Sequence, residues 1–123
     1  MREIIFRGKR TDGGGWVWGS LIQEPHRTRI FTAKDDRSSS LREVLPETVG
    51  QFIGEVDKQG TKIFENDIVD FDWDFSNGFE KCREVVKFIN GCFCVWESRT
   101  DIHVSALDCL VVGNLTDTPE LLK

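Results

Sequence analysis

Short runs in which apolar and polar positions alternate are the main pattern of this chain. The clearest run covers residues 68–75, where three aspartates alternate with apolar side chains. A period of two with aromatic and β-branched residues predicts a strand with one buried face. That face carries Val69, Phe71, Trp73 and Phe75. Many short strands with frequent turns are typical of a small β-barrel or sandwich.

Polar segments separate the apolar runs between residues 49 and 73. Asp57-Lys58-Gln59-Gly60 has turn chemistry, because an aspartate can bond to its own backbone and a glycine accepts a positive φ. Asn66 tolerates the left-handed conformation of a sharp corner. We therefore predict a strand, a tight turn, a short strand, a corner and a long strand. Asn90-Gly91, between two apolar runs, predicts a further hairpin with a type I′ turn.

The first 45 residues predict a small hairpin module. Two strands, over residues 2–7 and 16–23, are joined by a loop over residues 8–15 that contains three consecutive glycines. A weaker strand is predicted over residues 29–33. Residues 34–40 are polar, which predicts a mobile loop and a soft boundary near residue 40.

The last 15 residues predict a final strand and a short helical turn. Residues 109–115 are mostly apolar, and Gly113 among them indicates a bulge or a close packing contact. Pro119 follows two candidate capping residues, Asp117 and Thr118, which favours a helical turn that begins there.

The bulk composition limits what the chain can be. With 123 residues it forms one domain or two small modules, and nine Phe and four Trp supply a large buried area per residue. No apolar run approaches the ~18 residues that span a membrane, and the N-terminus does not resemble a signal peptide. We therefore expect a cytoplasmic protein whose four cysteines stay reduced.

Charge is distributed unevenly along the chain. Residues 1–42 contain nine Lys or Arg and five Asp or Glu, a net charge of +4, whereas residues 43–123 contain seven and sixteen, a net charge of −9. Such asymmetry can indicate a surface that faces a polyanion. It can equally mean that the halves attract each other, within one chain or between the copies of a homo-oligomer. The second interpretation is favoured, because the nine cations are too widely spaced to form a dense patch.

Four segments together resemble the YopX family, which are small proteins encoded by bacteriophages and prophages. They are the opening MREIIFRGKR, the following WVWGSLI, the central PETVGQFIGEVDKQGTKIFENDIV and the closing GNLTDTPELL. Members usually carry Glu-Gly-Asp-Ile-Val where this chain has Asn66 in place of the glycine, and Asn is the next best residue for a left-handed corner. The resemblance implies an SH3-like small β-barrel from about residue 46 onward. It supplies no catalytic residues, because the family is known mainly as phage proteins of unknown function.

Three alternating carboxylates, Asp70, Asp72 and Asp74, have the oxygen ligands that a divalent cation prefers. The segment from Asp70 also begins like a calcium loop. However, Phe75 and Lys81 stand where that loop requires glycine and glutamate. A solvated strand face, whose charges discourage edge pairing, is therefore the favoured interpretation.

The cysteines and histidines form no recognisable catalytic or metal-binding pattern. Cys92 and Cys94 point to the same face of a predicted strand, whereas zinc ligands usually lie two to four residues apart on a turn. The four cysteines are therefore predicted to be core residues, at Cys82, Cys92, Cys94 and Cys109. His26 and His103 are isolated, and no nucleophile elbow is present. The sequence thus predicts no catalytic residue, no metal and no cofactor.

Cations and aromatic rings are interleaved in the N-terminal third. The cations are Arg7, Lys9, Arg10, Arg27 and Arg29, and the rings are Phe6, Trp16, Trp18 and Phe31. Proteins that bind single strands combine cations for the phosphates with rings that stack on the bases. The competing interpretation is an aromatic core with a solvated basic rim, which the negative net charge of the whole chain favours.

These observations predict a mainly β fold with an N-terminal β-hairpin module over residues 1–45 and an SH3-like small β-barrel over residues 46–123. We expect a non-enzymatic binding or accessory protein that contacts a phage or host protein. The alternative is a nucleic-acid-binding module for phage replication or regulation, which would use Arg7, Lys9, Arg10, Arg27 and Arg29. An enzyme would require His26 or His103 to meet a carboxylate or a thiol in one pocket.

Overall fold

The computed structural model describes residues 2–35, 38–96, 103–104 and 107–123, and the chain divides after Phe52 into two compact units. Both units are built almost entirely from strands, so the prediction of a mainly β fold is confirmed. The predicted domain boundary after residue 45 stays a prediction, because compactness alone does not show which segment folds independently.

The first unit is an antiparallel sheet. Its strands are β1 (Phe6–Lys9), β2 (Trp16–Glu24), β3 (Arg27–Asp35), β4 (Ser38–Glu43) and the beginning of β5 (Gly50–Val56). They lie in the order β4-β3-β2-β1-β5. A short 3-10 helix, Pro46–Thr48, connects β4 to β5. The predicted hairpin is present as β1 and β2, but the sheet also contains β3 and β4, which make it larger than a hairpin.

Two local predictions in this unit are wrong. The first strand begins at Phe6 and continues through Lys9, so it starts later than predicted and extends into the predicted loop. Residues 34–40 do not form a mobile loop over their described part, because β3 extends to Asp35 and β4 begins at Ser38. Serine has a low strand preference, but here a neighbouring strand supplies the backbone partners. Residues 36–37 lie outside the described residues.

The second unit contains the end of β5 and six further strands. They are β6 (Lys62–Phe64), β7 (Asp67–Phe75), β8 (Gly78–Val85), β9 (Lys87–Ile89), β10 (Cys92–Cys94) and β11 (Leu110–Asn114), followed by a 3-10 helix, Pro119–Leu122. One sheet has the order β11-β7-β8, β9 pairs with β10, and β6 lies beside β5. Over the described residues these sheets are not closed into a barrel.

The predicted turn chemistry of the second unit is confirmed. Asn66 has a φ of 75° at the corner before β7, and Asn90 and Gly91 have φ values of 53° and 80° between β9 and β10. The register shifts between Val111 and Gly113, as expected for a bulge. The first of the two apolar runs that flank Asn90-Gly91 is interrupted, since β8 ends at Val85 and β9 begins at Lys87. The second run forms β10, which ends at Cys94.

The alternation predicted for β7 holds in its middle, where Val69 and Phe71 are buried in the core of the second unit, but Phe75 is 37% exposed and Ile68, on the other face, is fully buried. Seven buried side chains form the core cluster: Ile63, Val69, Phe71, Val86, Val95, Val104 and Cys109. Trp96 packs against it, with its ring 5.3 Å from that of Phe71 and 5.5 Å from that of Trp73. Cys94 and Cys109 are buried, as predicted, whereas Cys82 and Cys92 are half-buried. Among the described residues no helix is long and apolar enough to cross a membrane.

Candidate binding site

One face of the sheet in the first unit collects aromatic and cationic side chains. Residues that lie opposite each other in an antiparallel pair share a face. Arg7 lies opposite Trp18 and Lys9 lies opposite Trp16. Further along the sheet, Phe31 lies opposite both Ser20 on β2 and Leu41 on β4.

The same pairing adds two charged rows to this face. Ile22 lies opposite Arg29, which lies opposite Glu43, and Glu24 lies opposite Arg27. We call this surface the aromatic face. It consists of Arg7, Lys9, Trp16, Trp18, Ser20, Ile22, Glu24, Arg27, Arg29, Phe31, Leu41 and Glu43.

Three large apolar side chains of the aromatic face are exposed, whereas Trp16 and Ile22 are half-buried. Trp18 is 48% exposed, Leu41 is 42% exposed and Phe31 is 38% exposed. Ile30, which points to the other side of β3, is fully buried at 0%. On the aromatic face Arg7 is buried at 8% exposed, but the large apolar groups of β2, β3 and β4 are open to solvent and have the character of an interaction surface.

Cations are held against the aromatic face at both of its ends. The Arg7 guanidinium lies 4.9 Å from the centre of the Trp16 ring, and the Lys9 ammonium lies 5.9 Å from it, so both are within range of a cation–π interaction. At the other end Glu24 pairs with Arg29, and it accepts a bond from Arg27 Nε at 3.2 Å. Burial by itself would raise the pKa of Glu24, but its bonds to the two arginines outweigh burial and lower that pKa.

Four of the five cations predicted to bind nucleic acid lie on the aromatic face. Arg10 does not, since it follows Lys9 and its guanidinium bonds to Asp12 at 2.5 Å in the loop after β1. Phe6 lies opposite Gly19 and belongs to the other face. Two carboxylates, Glu24 and Glu43, accompany the four cations, which leaves a net charge of +2.

The three alternating aspartates of β7 lie opposite different kinds of residue on β8. Arg83 on β8 donates two bonds to the carboxylate of Asp70, at 2.7 and 2.9 Å, and Lys81 lies opposite Asp72. Phe79 lies opposite Asp74. Asp70 therefore has a cationic partner within the protein, whereas Asp72 only lies opposite one in the strand register. Within the described ranges no three His, Cys, Asp or Glu side chains are arranged to hold a metal ion.

The two histidines are far apart in the sequence and differ in their surroundings. His26 is exposed in the turn between β2 and β3. His103, Cys92 and Glu55 line one small cleft of about 270 Å³ in the second unit. No pattern in the sequence indicated this arrangement, because the three residues lie on separate segments that only the fold brings together. The cleft brings a thiol, an imidazole and a carboxylate to one place, but among the described residues no hydrogen bond joins any two of the three.

Comparisons with known proteins identify relatives of the whole chain. Residues 6–123 match the family described as YopX protein. The fold is similar to that in the crystal structure of protein EF1440 from Enterococcus faecalis, with a TM-score of 0.64 and 20% sequence identity over 100% of both chains. No curated protein matches the chain.

Proposed function

We propose that this chain, which belongs to the YopX family, is a non-enzymatic binding protein that uses its aromatic face to contact a phage or host protein. The observation that carries this proposal is the exposure of Trp18, Phe31 and Leu41 on one side of one sheet. Aromatic residues and arginine are enriched in protein interfaces, and buried aromatic anchors supply much of the binding energy there.

The chemistry of the aromatic face defines its partner. Leu41 and Ile22 offer aliphatic surface that suits apolar side chains and does not stack on bases. The net charge of +2 favours an acidic segment and increases the rate of encounter with it. The proposed partner therefore presents apolar side chains flanked by Asp or Glu.

Affinity capture from infected or lysogenic cells tests this proposal. The decisive comparison uses a triple variant, Trp18→Thr, Phe31→Thr and Leu41→Thr, which keeps strand propensity and removes the apolar groups. Phe79→Thr is the matched control, because Phe79 is 75% exposed in the second unit. A protein captured by the wild type and by the control, but not by the triple variant, supports the proposal. Equal capture by all three chains refutes it.

A nucleic-acid-binding module for phage replication or regulation is the second candidate function. It is favoured by the presence of Arg7, Lys9, Arg27 and Arg29 on the face that also carries three aromatic rings. Arg7 is only 8% exposed, so Lys9, Arg27 and Arg29 are the cations available to phosphates. If these three contact phosphates, the affinity for single-stranded DNA should fall with a log–log salt slope of about −2. Anisotropy titrations with single- and double-stranded DNA at about 50 and 200 mM salt measure that slope. Absence of salt-sensitive binding removes this candidate.

The proposal also covers the oligomeric state of the chain, its origin and its finer fold. The net charges of +4 and −9 in the two parts of the chain support a homo-oligomer in which unlike parts of different copies meet. Light scattering at low and high salt tests for this homo-oligomer, and a monomer under both conditions refutes it.

Family membership supports a phage or prophage origin and an SH3-like barrel in the second part of the chain. An experimental structure that includes residues 97–102 and 105–106 would test barrel closure.

A further inference from the structure

A second surface, in the second unit, has the features of a ligand site. It is a cleft of about 630 Å³, within the range of small-molecule sites. Its floor is one face of the β11-β7-β8 sheet, where Leu110, Asp70 and Arg83 form one row and Asp72 and Lys81 form the next. Lys58, from the turn after β5, and the C-terminal 3-10 helix line the remaining sides.

The charges within this cleft favour an anion. Arg83 donates two bonds to Asp70, which lowers the pKa of that carboxyl group and keeps it ionised beside its partner. Asp70 therefore has its own cation, whereas the exposed Asp72 lies opposite Lys81 without forming an ion pair with it.

Two further cations, Lys58 and Lys123, also line the cleft. Among the residues that the structure describes, neither forms an ion pair. The four cationic side chains against two carboxylates leave a net side-chain charge of +2. This local charge contrasts with the net charge of −9 over residues 43–123.

The remaining wall of the cleft is apolar. Leu110 contributes from β11, and Leu121 and Leu122 contribute from the 3-10 helix that follows it. Leu122 is 40% exposed, so this apolar surface is open to solvent. The helix is positioned closely against β11, because a Cβ on Gly113 would lie 2.8 Å from Leu121 Cδ1.

We propose that this cleft binds a small organic anion with an apolar portion, such as an aliphatic carboxylate. The anionic group lies against Lys58 and Lys123, and the apolar portion lies against Leu110, Leu121 and Leu122. Asp70, which is paired with Arg83, and Asp72 form the polar floor. This site is separate from the aromatic face and does not depend on its function.

Titration with octanoate, followed by amide chemical shifts of the folded chain, tests the proposal. Octanol, which has the same chain length and no charge, is the matched probe. At concentrations up to about 10 mM, octanoate should shift the amides of Leu110, Lys81 and Leu121 in a saturable way, and octanol should bind more weakly.

Charge variants locate the anion. The double variant Lys58→Gln and Lys123→Gln should weaken octanoate binding about three- to tenfold. Arg42→Gln removes an exposed cation of the first unit and should leave binding unchanged. Equal binding of octanoate and octanol, shifts confined to Trp18 and Phe31, or an unchanged affinity of the double variant would each overturn the proposal. Matching amide spectra of the free variants establish that they fold.

Discussion

Asp57 offers the most direct test of how the second unit is held together. This side chain is only 5% exposed, in the turn that follows β5. Its Oδ1 accepts bonds from the backbone N–H groups of Gln59 and Thr61, both at 2.9 Å. Its Oδ2 accepts a bond from the N–H of Val111 on β11, also at 2.9 Å. One carboxylate therefore closes the turn and fixes it to a strand 54 residues further along.

Replacing Asp57 by Asn should be costly even though the two side chains have nearly the same shape. The Asn carbonyl oxygen can accept the bonds from Gln59 and Thr61, but its NH₂ group then meets the N–H of Val111, where two donors face each other. Bonds to a charged group contribute about 1.5–3 kcal/mol each. Because one such bond is lost and two are weakened, we expect a decrease in the free energy of unfolding of about 2–4 kcal/mol.

The pH dependence provides an independent check. Burial alone would raise the pKa of Asp57, but the bonds from Val111, Thr61 and Gln59 outweigh burial and lower it. The unfolded state therefore takes up a proton more readily than the folded state. The stabilisation is complete above the unfolded pKa of about 3.9 and is lost as the pH falls through the lower folded pKa.

Urea unfolding, followed by tryptophan fluorescence, measures both effects. Asp74→Asn is the matched control, since Asp74 is exposed on β7 and its replacement should change stability by less than about 0.5 kcal/mol. The difference between the wild type and Asp57→Asn should be largest near neutral pH and should decrease in acid. A variant that unfolds at the wild-type urea midpoint at neutral pH would refute the reasoning.

Three further predictions concern local geometry and thiol chemistry. Gly113→Ala should destabilise the chain by about 1–3 kcal/mol in urea unfolding, because the new Cβ would lie 2.0 Å from Thr118 Oγ1; wild-type stability would contradict it. Asn66→Gly should leave stability nearly unchanged and Asn66→Ala should lower it by about 1 kcal/mol, since φ is 75° there; equal effects of the two would contradict it. Iodoacetamide should modify half-buried Cys92 before Cys109, because burial and the nearby Asp57 carboxylate raise the pKa of the Cys109 thiol. Mass spectrometry of the digested protein identifies the order of modification. Faster modification of Cys109 would contradict the prediction.

Local chemistry made some of this fold predictable. The alternation in β7 and the turn residues before it act over a few positions, so the strand, the turn at Asp57 and the corner at Asn66 could be derived from the sequence. The strand that contains Ser38, Ser39 and Ser40 could not, because its stability comes from pairing with β3 rather than from its own residues. Local preference gives way to such tertiary pairing most readily at weakly biased positions.

The candidate sites were only partly predictable, for a related reason. Alternation shows that Trp16 and Trp18 share a face, but it does not reveal whether that face is covered. The structure shows Trp18 to be 48% exposed and Ile30, on the opposite side, to be fully buried. The arrangement of Cys92, Glu55 and His103 required contacts between segments that carry no common pattern.

The most distinctive segment of the sequence, residues 49–73, is explained by folding. The Asp57 carboxylate is occupied by three backbone donors, and Asp67, which is 2% exposed, accepts a bond from the N–H of Phe64 at 2.7 Å. Buried carboxylates that satisfy backbone groups are poorly placed to recognise a partner. A substitution at Asp57 should therefore reduce partner binding only in proportion to the loss of folded protein. Replacement of Trp18 by Thr should reduce partner binding while the free energy of unfolding stays nearly constant. Measuring partner binding and the free energy of unfolding for both the Asp57 and the Trp18 variant separates a role in folding from a role in binding.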